Sequence, residues 1–497
     1  MSTAVVAPAP AADRAILDKS LFWGLAYTGG VKWLTQILAW ASTLVVARLL
    51  APDDYGLVGM AAVYIGLVTL INEFGLGIAI ITKRELTEHE LAQLNTLSVA
   101  IGLTALAISW GGAIPLAHFF GAPPLRWVVV TMSLGFLISG FQTVPTALLQ
   151  RELQFKWLAL LEAYQAIIIG ASMILLALIG FGYWTLVLGN LLGTTFLTAM
   201  VVAKRSHRFA WPRLRELRPA LAFSSHILVG RLAWYVQANA DFLVAGRVLG
   251  QRALGVYSVG WTLASVPVDK VSSIAARVTP AFFSAVQTDR AALRRYLLVL
   301  TEALALITIP LAWGLALVAD EVVLLVLGEK WQAVTGPLRI LAVVASLRAV
   351  VTLLSQVLNA TGHSRFSMYK ATLDAILLSA AFWVGSGWGI VGIAAAWLTI
   401  YPLLVVPVYW FVFRNIAMPP AQYLRVIWPA LSGALVMAAA VITLKLVLPP
   451  TWELPLRFLI EVSAGAGVYL AILLVWHRER LGIITQRLVE LRSQTES

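Results

Sequence analysis

The chain has 497 residues, of which 60% are hydrophobic and only 12% are charged. Soluble domains average about 25% charged residues, so the composition excludes an ordinary soluble protein and indicates a polytopic membrane protein. The net charge of +12 would suit nucleic acid, and the absence of cysteine excludes a disulfide framework and a thiolate metal site.

The first long apolar segment, 22–49, carries the most informative polar pattern of the chain. Lys32 lies near its middle, and Thr28, Lys32 and Gln36 recur every four residues, on one face of a helix. A charge at this depth usually faces a bundle interior or a watery cavity, so these residues are candidates for lining a cavity. The alternative is that Lys32 snorkels to one membrane surface or pairs locally.

Fourteen apolar segments are predicted to span the membrane, with short connections between them. Their approximate bounds are 22–49, 56–81, 94–116, 127–149, 158–180, 183–203, 220–249, 254–276, 296–319, 337–360, 367–386, 388–413, 425–448 and 458–476. Outside the spans, Lys and Arg concentrate on one side of this topology; the other side holds only Arg126, Arg252, Lys330 and Arg457. Because cytoplasmic loops carry the excess of Lys and Arg, both termini are predicted to be cytoplasmic. Topology and lipid contact thus account for the positive charge, and nucleic acid is excluded as a partner.

The chain repeats itself once, at an offset of about 200 residues. VARLLAPDDYGLV (46–58) aligns with AGRVLGQRALGVY (245–257), and at the same offset Lys32 aligns with Arg231. Six spans separate the copies, so both have the same orientation in the membrane. The sequence therefore predicts an N lobe (21–203) and a C lobe (220–413), two parallel six-helix repeats around a central cavity.

Four other segments complete the predicted organisation of this all-α membrane protein. They are a mobile cytoplasmic arm (1–20), a basic cytoplasmic linker (204–219), two additional C-terminal spans (414–476) and a basic amphipathic cytoplasmic tail (477–497).

Further candidates for substrate contact lie within the spans. Arg231 lies deep in its span with Tyr235 on its side of the helix, and Arg348 is the deeper of two arginines in 337–360. Such cations suit an anionic substrate, since a low-dielectric wall strengthens their attraction to phosphate. The alternative is that they neutralise acids within the membrane. The candidate charge-balancing or coupling acids are Glu73, Asp241 and Asp269, and Asn72 is a further polar candidate for the cavity.

Other polar residues are given structural roles. Arg48 is expected to pair with Asp53 or Asp54 at the surface. His226 and His363 are isolated in the sequence, so we expect structural roles for them and not metal binding. The 19 tryptophans are what interfacial belts require. The sequence has no phosphate-binding glycine loop, no paired histidine ligands and no Gly-x-Ser-x-Gly motif, so we expect a transporter without metal or cofactor rather than an enzyme.

Several runs of the sequence resemble those of Wzx-type polysaccharide transporters. They are ARLLAPDDYG (47–56), FGLGIAIITKRELTEHEL (74–91), ALLQRELQFKWLALLE (147–162) and GFGYWTLV (180–187). The resemblance covers about residues 20–415 and points to the branch of lipopolysaccharide, colanic-acid and teichuronic-acid exporters. That branch belongs to the multidrug/oligosaccharidyl-lipid/polysaccharide exporter superfamily.

The resemblance implies a flippase that moves undecaprenyl-diphosphate-linked oligosaccharide repeat units from the cytoplasmic to the periplasmic leaflet by alternating access. It also implies a bacterial inner-membrane protein working beside the polymerase and export machinery of an exopolysaccharide or lipopolysaccharide pathway. Related lipid II flippases line their cavity with cations that meet the diphosphate, and Lys32 and Arg231 suit that role by position.

Three other classes are weighed against this interpretation. A cation-coupled multidrug exporter of the same superfamily would favour a cavity led by acids, whereas the deep symmetric pair here is basic. A membrane polymerase or ligase would need a larger external loop than 320–336. A purely structural scaffold gives no reason for buried charge.

Overall fold

A computed structural model describes residues 35–36, 38–72, 80, 86–212, 232, 235–449 and 451–477, apart from the side chains of 71–72, 277–278, 281 and 364–365. Within these residues the secondary structure is helical, without a strand. Ten segments of the described chain are long and apolar enough to cross a membrane, which confirms a polytopic membrane protein. The chain divides into two compact units, Met1–Leu232 and Ala233–Ser497.

The described helices of the first unit follow one another with short connections. They are α1 (Leu38–Leu49), α2 (Pro52–Asn72), α3 (Glu88–Phe120), α4 (Leu125–Arg151), α5 (Phe155–Leu178) and α6 (Trp184–Lys204). α3 is longer than the predicted span 94–116 because its ends are capped. Thr87 and Glu90 form a capping box at its start, and Gly121 ends it in the left-handed conformation with φ +65°.

Helices α3 and α4 of the first unit pack closely against each other. A Cβ on Gly102 would lie 2.5 Å from the carbonyl oxygen of Phe136, so no larger residue fits there without movement. Beside it, Ser98 Oγ donates a 2.8 Å hydrogen bond to the carbonyl of Gly140. In lipid, such close backbone approach and polar contacts hold helices together, since burial of apolar surface adds little.

Residues 205–212, at the start of the predicted basic linker, lie against α3. Asn95 Nδ2 donates to the carbonyl oxygens of His207 at 3.3 Å and of Arg208 at 3.4 Å. The N–H of Ala210 donates to Ala92 O at 3.3 Å. These contacts attach the beginning of the linker to the first unit.

The second unit contains the remaining described helices. They are α7 (235–244, continued by a π-helical turn, Ala245–Leu249), α8 (Gln251–Ala285), α9 (Arg290–Leu317), α10 (Ala319–Val322), α11 (Thr335–Ala360), α12 (Ser364–Gly385), α13 (Gly389–Asn415), α14 (Pro420–Val447) and α15 (Leu454–Trp476). The predicted external connection 320–336 is itself folded: α10 is followed by a π-helical turn, Val323–Leu327, and a 3₁₀ helix, Glu329–Val334. Trp331 in this connection is fully buried, which explains why so short a segment is ordered.

Helices α14 and α15, predicted as two additional spans, belong to the second unit. A buried apolar cluster runs through this unit and includes Leu304 of α9, Met437 of α14 and Leu473 of α15. Tyr469 Oη of α15 donates a 2.8 Å hydrogen bond to the carbonyl of Leu306 in α9. The last two helices are therefore packed on the core and not merely appended to it.

Candidate substrate-binding site

The structure does not reach all the residues predicted to line a cavity. Thr28, Lys32, Glu73 and Arg231 lie outside the described residues, as does the side chain of Asn72. Their roles stay predictions.

Two polar candidates are described but belong to different units. Gln36 is a half-buried helical residue of the first unit, and Tyr235 is a half-buried residue at the beginning of the described part of α7 in the second. The carbonyl of Tyr235 accepts a 2.9 Å hydrogen bond from Asn239 Nδ2. Whether the two side chains contribute to one site stays a prediction.

Asp241 is the centre of a buried polar cluster in the second unit. Its side chain is fully buried in α7, and three donors from three helices surround the carboxylate. Oδ2 accepts from Tyr257 Oη at 2.8 Å and from Trp397 Nε1 at 3.0 Å, while Oδ1 accepts from the backbone N–H of Phe242 at 3.0 Å. Each helix thus contributes one donor, so the carboxylate fixes α7, α8 and α13 to one another.

Arg348 of α11 lies over the faces of two tryptophans. Its guanidinium carbon is 4.7 Å from the ring centroid of Trp261 and 5.4 Å from that of Trp397. The two indole rings are 5.5 Å apart between centroids, and both form further ring contacts, to Phe242 and to Phe382. A cation over an indole face is attracted by the ring quadrupole, which holds the guanidinium in place.

The charges of this cluster are close to one another without being joined by hydrogen bonds. Arg348 interacts electrostatically with Asp241 and with the exposed Asp269 of α8. Within the described residues, however, no hydrogen bond occupies its guanidinium N–H groups. A planar guanidinium stacked on aromatic faces, with free N–H groups, is suited to bind a phosphate oxygen.

A second ionic group in the same unit was missed by the sequence analysis. Lys370 and Asp374 form an ion pair along α12, and Gln237 Nε2 of α7 donates to Asp374 Oδ2 at 3.3 Å. Tyr401 of α13 packs on Trp397, with 5.5 Å between ring centroids. The available signal was the spacing of four residues between a lysine and an aspartate at the start of an apolar span.

Other polar residues have local partners. Arg339 pairs with Asp320 at the protein surface, nine residues before Arg348 on the same helix. His363 Nδ1 lies 3.0 Å from Thr361 Oγ1, and its ring packs on Phe411 at 4.9 Å between centroids. These contacts agree with structural roles for Arg339 and His363.

The helices that are long and apolar enough to cross a membrane define a polytopic membrane protein. Comparison with known families supports this class. A family described as polysaccharide biosynthesis protein matches residues 45–335, more than half of the chain. The chain therefore belongs to this family, and the resemblance inferred from its motifs is confirmed.

Curated relatives carry names from bacterial polysaccharide pathways. The chain is 26% identical over 397 residues to the lipopolysaccharide biosynthesis protein WzxC of Escherichia coli (strain K12), a match covering 77% of this chain and 79% of WzxC. It is also 26% identical over 448 residues to the succinoglycan biosynthesis transport protein ExoT of Rhizobium meliloti (strain 1021), which covers 87% of each chain. The teichuronic acid biosynthesis protein TuaB of Bacillus subtilis (strain 168) is 27% identical over 303 residues, 60% of this chain and 63% of TuaB.

Two solved structures show the fold. The lipid II flippase MurJ in an inward closed conformation superimposes with a TM-score of 0.70 at 14% identity, covering 91% of this chain and 99% of MurJ. An inward-facing multidrug resistance MATE transporter of the MOP superfamily gives a TM-score of 0.60 at 16% identity, covering 77% of this chain and 94% of the transporter. The chain shares the fold of these two structures.

Proposed function

We propose that this protein is a flippase for undecaprenyl-diphosphate-linked oligosaccharide repeat units in exopolysaccharide or lipopolysaccharide assembly. Membership of the polysaccharide biosynthesis family, with relatives named as a transport protein and as WzxC, supports the substrate class. The single structural observation that carries the proposal is Arg348, a cation within the spans whose N–H groups are free among the described residues. Such a group offsets the hydration that a diphosphate loses on leaving water.

The finer topology is part of the same proposal. A described helix overlaps each of the fourteen predicted spans, including the incompletely described α1 and α7. The distribution of Lys and Arg supports a cytoplasmic location for both termini. In this topology the flippase lies in the bacterial inner membrane, and lipid-linked units reach the periplasmic leaflet by alternating access.

Arg348 is proposed to contact the diphosphate, with Lys32 and Arg231 contributing further cations at comparable depth. A hydrogen bond to a charged group is worth about 1.5–3 kcal/mol, and about 1.4 kcal/mol corresponds to tenfold in an equilibrium constant. Loss of the Arg348 guanidinium should therefore lower transport by roughly 10- to 100-fold. A lysine at this position keeps the charge but not the planar fork, so part of the activity should remain.

The test is polymer export in a strain that lacks the chain's own gene, with membrane abundance measured in parallel. Arg348→Ala should reduce export at normal abundance, and lipid-linked repeat units should accumulate on the cytoplasmic leaflet. Arg339→Ala is the matched control, because it removes the same residue type from the same helix at an exposed ion pair. If the two variants export polymer equally well, Arg348 does not contact the substrate.

The same strains separate this function from its runner-up. A cation-coupled multidrug exporter would confer resistance to cationic drugs without restoring polymer. Restored polymer export without drug resistance would support the flippase over the multidrug exporter.

A further inference from the structure

A buried ionic triad lies where α10, α14 and α15 meet. Lys445 Nζ of α14 is 2.7 Å from Glu321 Oε2 of α10 and 3.4 Å from Glu461 Oε2 of α15. Lys445 is near the end of α14, and Glu461 is two turns into α15, so the triad is near the helix ends predicted to face the periplasm. Nothing in the proposed transport site uses these residues.

The two carboxylates are satisfied very unequally. Glu321 Oε2 accepts a hydrogen bond from Lys445 Nζ, and its side chain is 6% exposed. The side chain of Glu461 has no exposed surface, and neither of its oxygens receives a hydrogen bond within the described part of the chain. An ionised carboxylate in such a position is costly, whereas the neutral acid is tolerated.

The other charged groups around the triad do not supply the missing donor. Arg457 precedes Glu461 by one turn on α15 and acts on it through space, but its Nε also lacks a hydrogen bond among the described residues. Asp320, next to Glu321 on α10, is engaged by Arg339 of α11. Lys445 is therefore the cation that Glu321 and Glu461 share.

We propose that Glu461 is a proton-binding carboxyl that exchanges its proton with the periplasmic side. When Glu461 carries the proton, Lys445 pairs with Glu321 alone, which is already the nearer carboxylate at 2.7 Å against 3.4 Å. When the proton leaves, Glu461 becomes a second carboxylate and draws the ammonium towards α15. The lysine side chain is 21% exposed and has the four-carbon stem that this movement requires. Proton binding thus changes the link between the last helix and the folded connection that begins at α10.

The purified full-length protein in detergent tests this by infrared difference spectroscopy and by labelling with a hydrophobic carbodiimide, which reacts with protonated carboxyls. The infrared spectrum of the wild type, after subtraction of the spectrum of Glu461→Gln, should contain a protonated-carboxyl band. This band should fade as the pH rises from about 5 to about 9. Labelling of Glu461, located by mass spectrometry, should fall at least about tenfold over the same range. Glutamine has nearly the shape of glutamate, so the subtraction does not depend on a large structural change.

Two further variants should move the signal in opposite directions. Lys445→Met removes the shared cation, so the Glu461 band should persist to higher pH. Glu321→Gln leaves the lysine to Glu461 alone, so the band should be lost at lower pH than in wild type. A merely structural triad predicts no such opposed shifts. If the difference spectrum has no carboxyl band anywhere in this range, or if both variants titrate like wild type, Glu461 does not bind a proton.

Discussion

Replacement of Asp241 by alanine is the most direct perturbation of the cluster in the second unit. The carboxylate accepts hydrogen bonds from Tyr257, Trp397 and the backbone of Phe242. Asp241→Ala leaves the tyrosine hydroxyl and the indole N–H buried without an acceptor. Asp241→Asn keeps one carbonyl oxygen, so it should retain part of this bonding while removing the charge.

The structure gives the size of the effect. An unsatisfied buried donor costs about 1–3 kcal/mol, whereas hydrogen bonds measured within a membrane bundle average only about 0.6 kcal/mol. With two donors stranded, Asp241→Ala should lower the free energy of unfolding by about 2–4 kcal/mol. Asp241→Asn should cost about half as much.

Thermal unfolding in detergent, monitored by intrinsic tryptophan fluorescence, ranks the variants by stability. Asp320→Ala is the matched control, because it makes the same substitution at an exposed ion pair, which is worth less than about 1 kcal/mol. In the double variant with Tyr257→Phe, the two losses should be less than additive, since the hydroxyl is already without its acceptor. If Asp241→Ala unfolds at the same temperature as Asp320→Ala, Asp241 does not hold the three helices together.

Two further predictions concern the first unit. Thr87→Ala removes the capping box shared with Glu90 and should destabilise α3 by about 1 kcal/mol. The loss should appear as faster amide hydrogen exchange in the first turn of α3. Unchanged exchange would contradict the stabilising role of this cap. Gly102→Leu places a side chain against the carbonyl of Phe136 and should cost about 1–3 kcal/mol in thermal unfolding. Gly111→Leu is the control, because nothing lies within 4 Å of a Cβ added at this position of the same helix, and it should be tolerated. Equal stability of the two variants would argue against close packing of α3 on α4.

The sequence predicted the helices well and their ends poorly. Hydropathy identifies an apolar span because lipid requires one, but it does not register polar residues that continue a helix beyond the bilayer. α3 begins at Glu88, six residues before the predicted span, because Thr87 caps it. The folded connection 320–336 was also missed, since its burial depends on Trp331, a tertiary contact that no local pattern records.

The candidate site was predicted in part. Arg348 was chosen over Arg339 by depth alone, and the structure gives Arg339 a surface partner. The tryptophans were assigned to interfacial belts, yet Trp261 and Trp397 lie beside Arg348. Their positions near the middle of predicted spans were the available signal, because a belt tryptophan lies near a span end. Their distance of more than 130 residues in sequence hid their contact.

The position of Asp241 bears on the two roles that the sequence left open for the buried cations. If Asp241 were hydrogen-bonded to Arg348, the pair would neutralise itself and leave little attraction for a substrate phosphate. Instead, neutral donors from Tyr257 and Trp397 satisfy the carboxylate, and one of them, Trp397, also carries the guanidinium on its face. Asp241 therefore lowers the cost of burying Arg348 through space, while within the described part of the chain no hydrogen bond occupies the N–H groups of the arginine. Charge balance and substrate contact are thus compatible roles for one cation, which is what weak, reversible binding of a diphosphate requires.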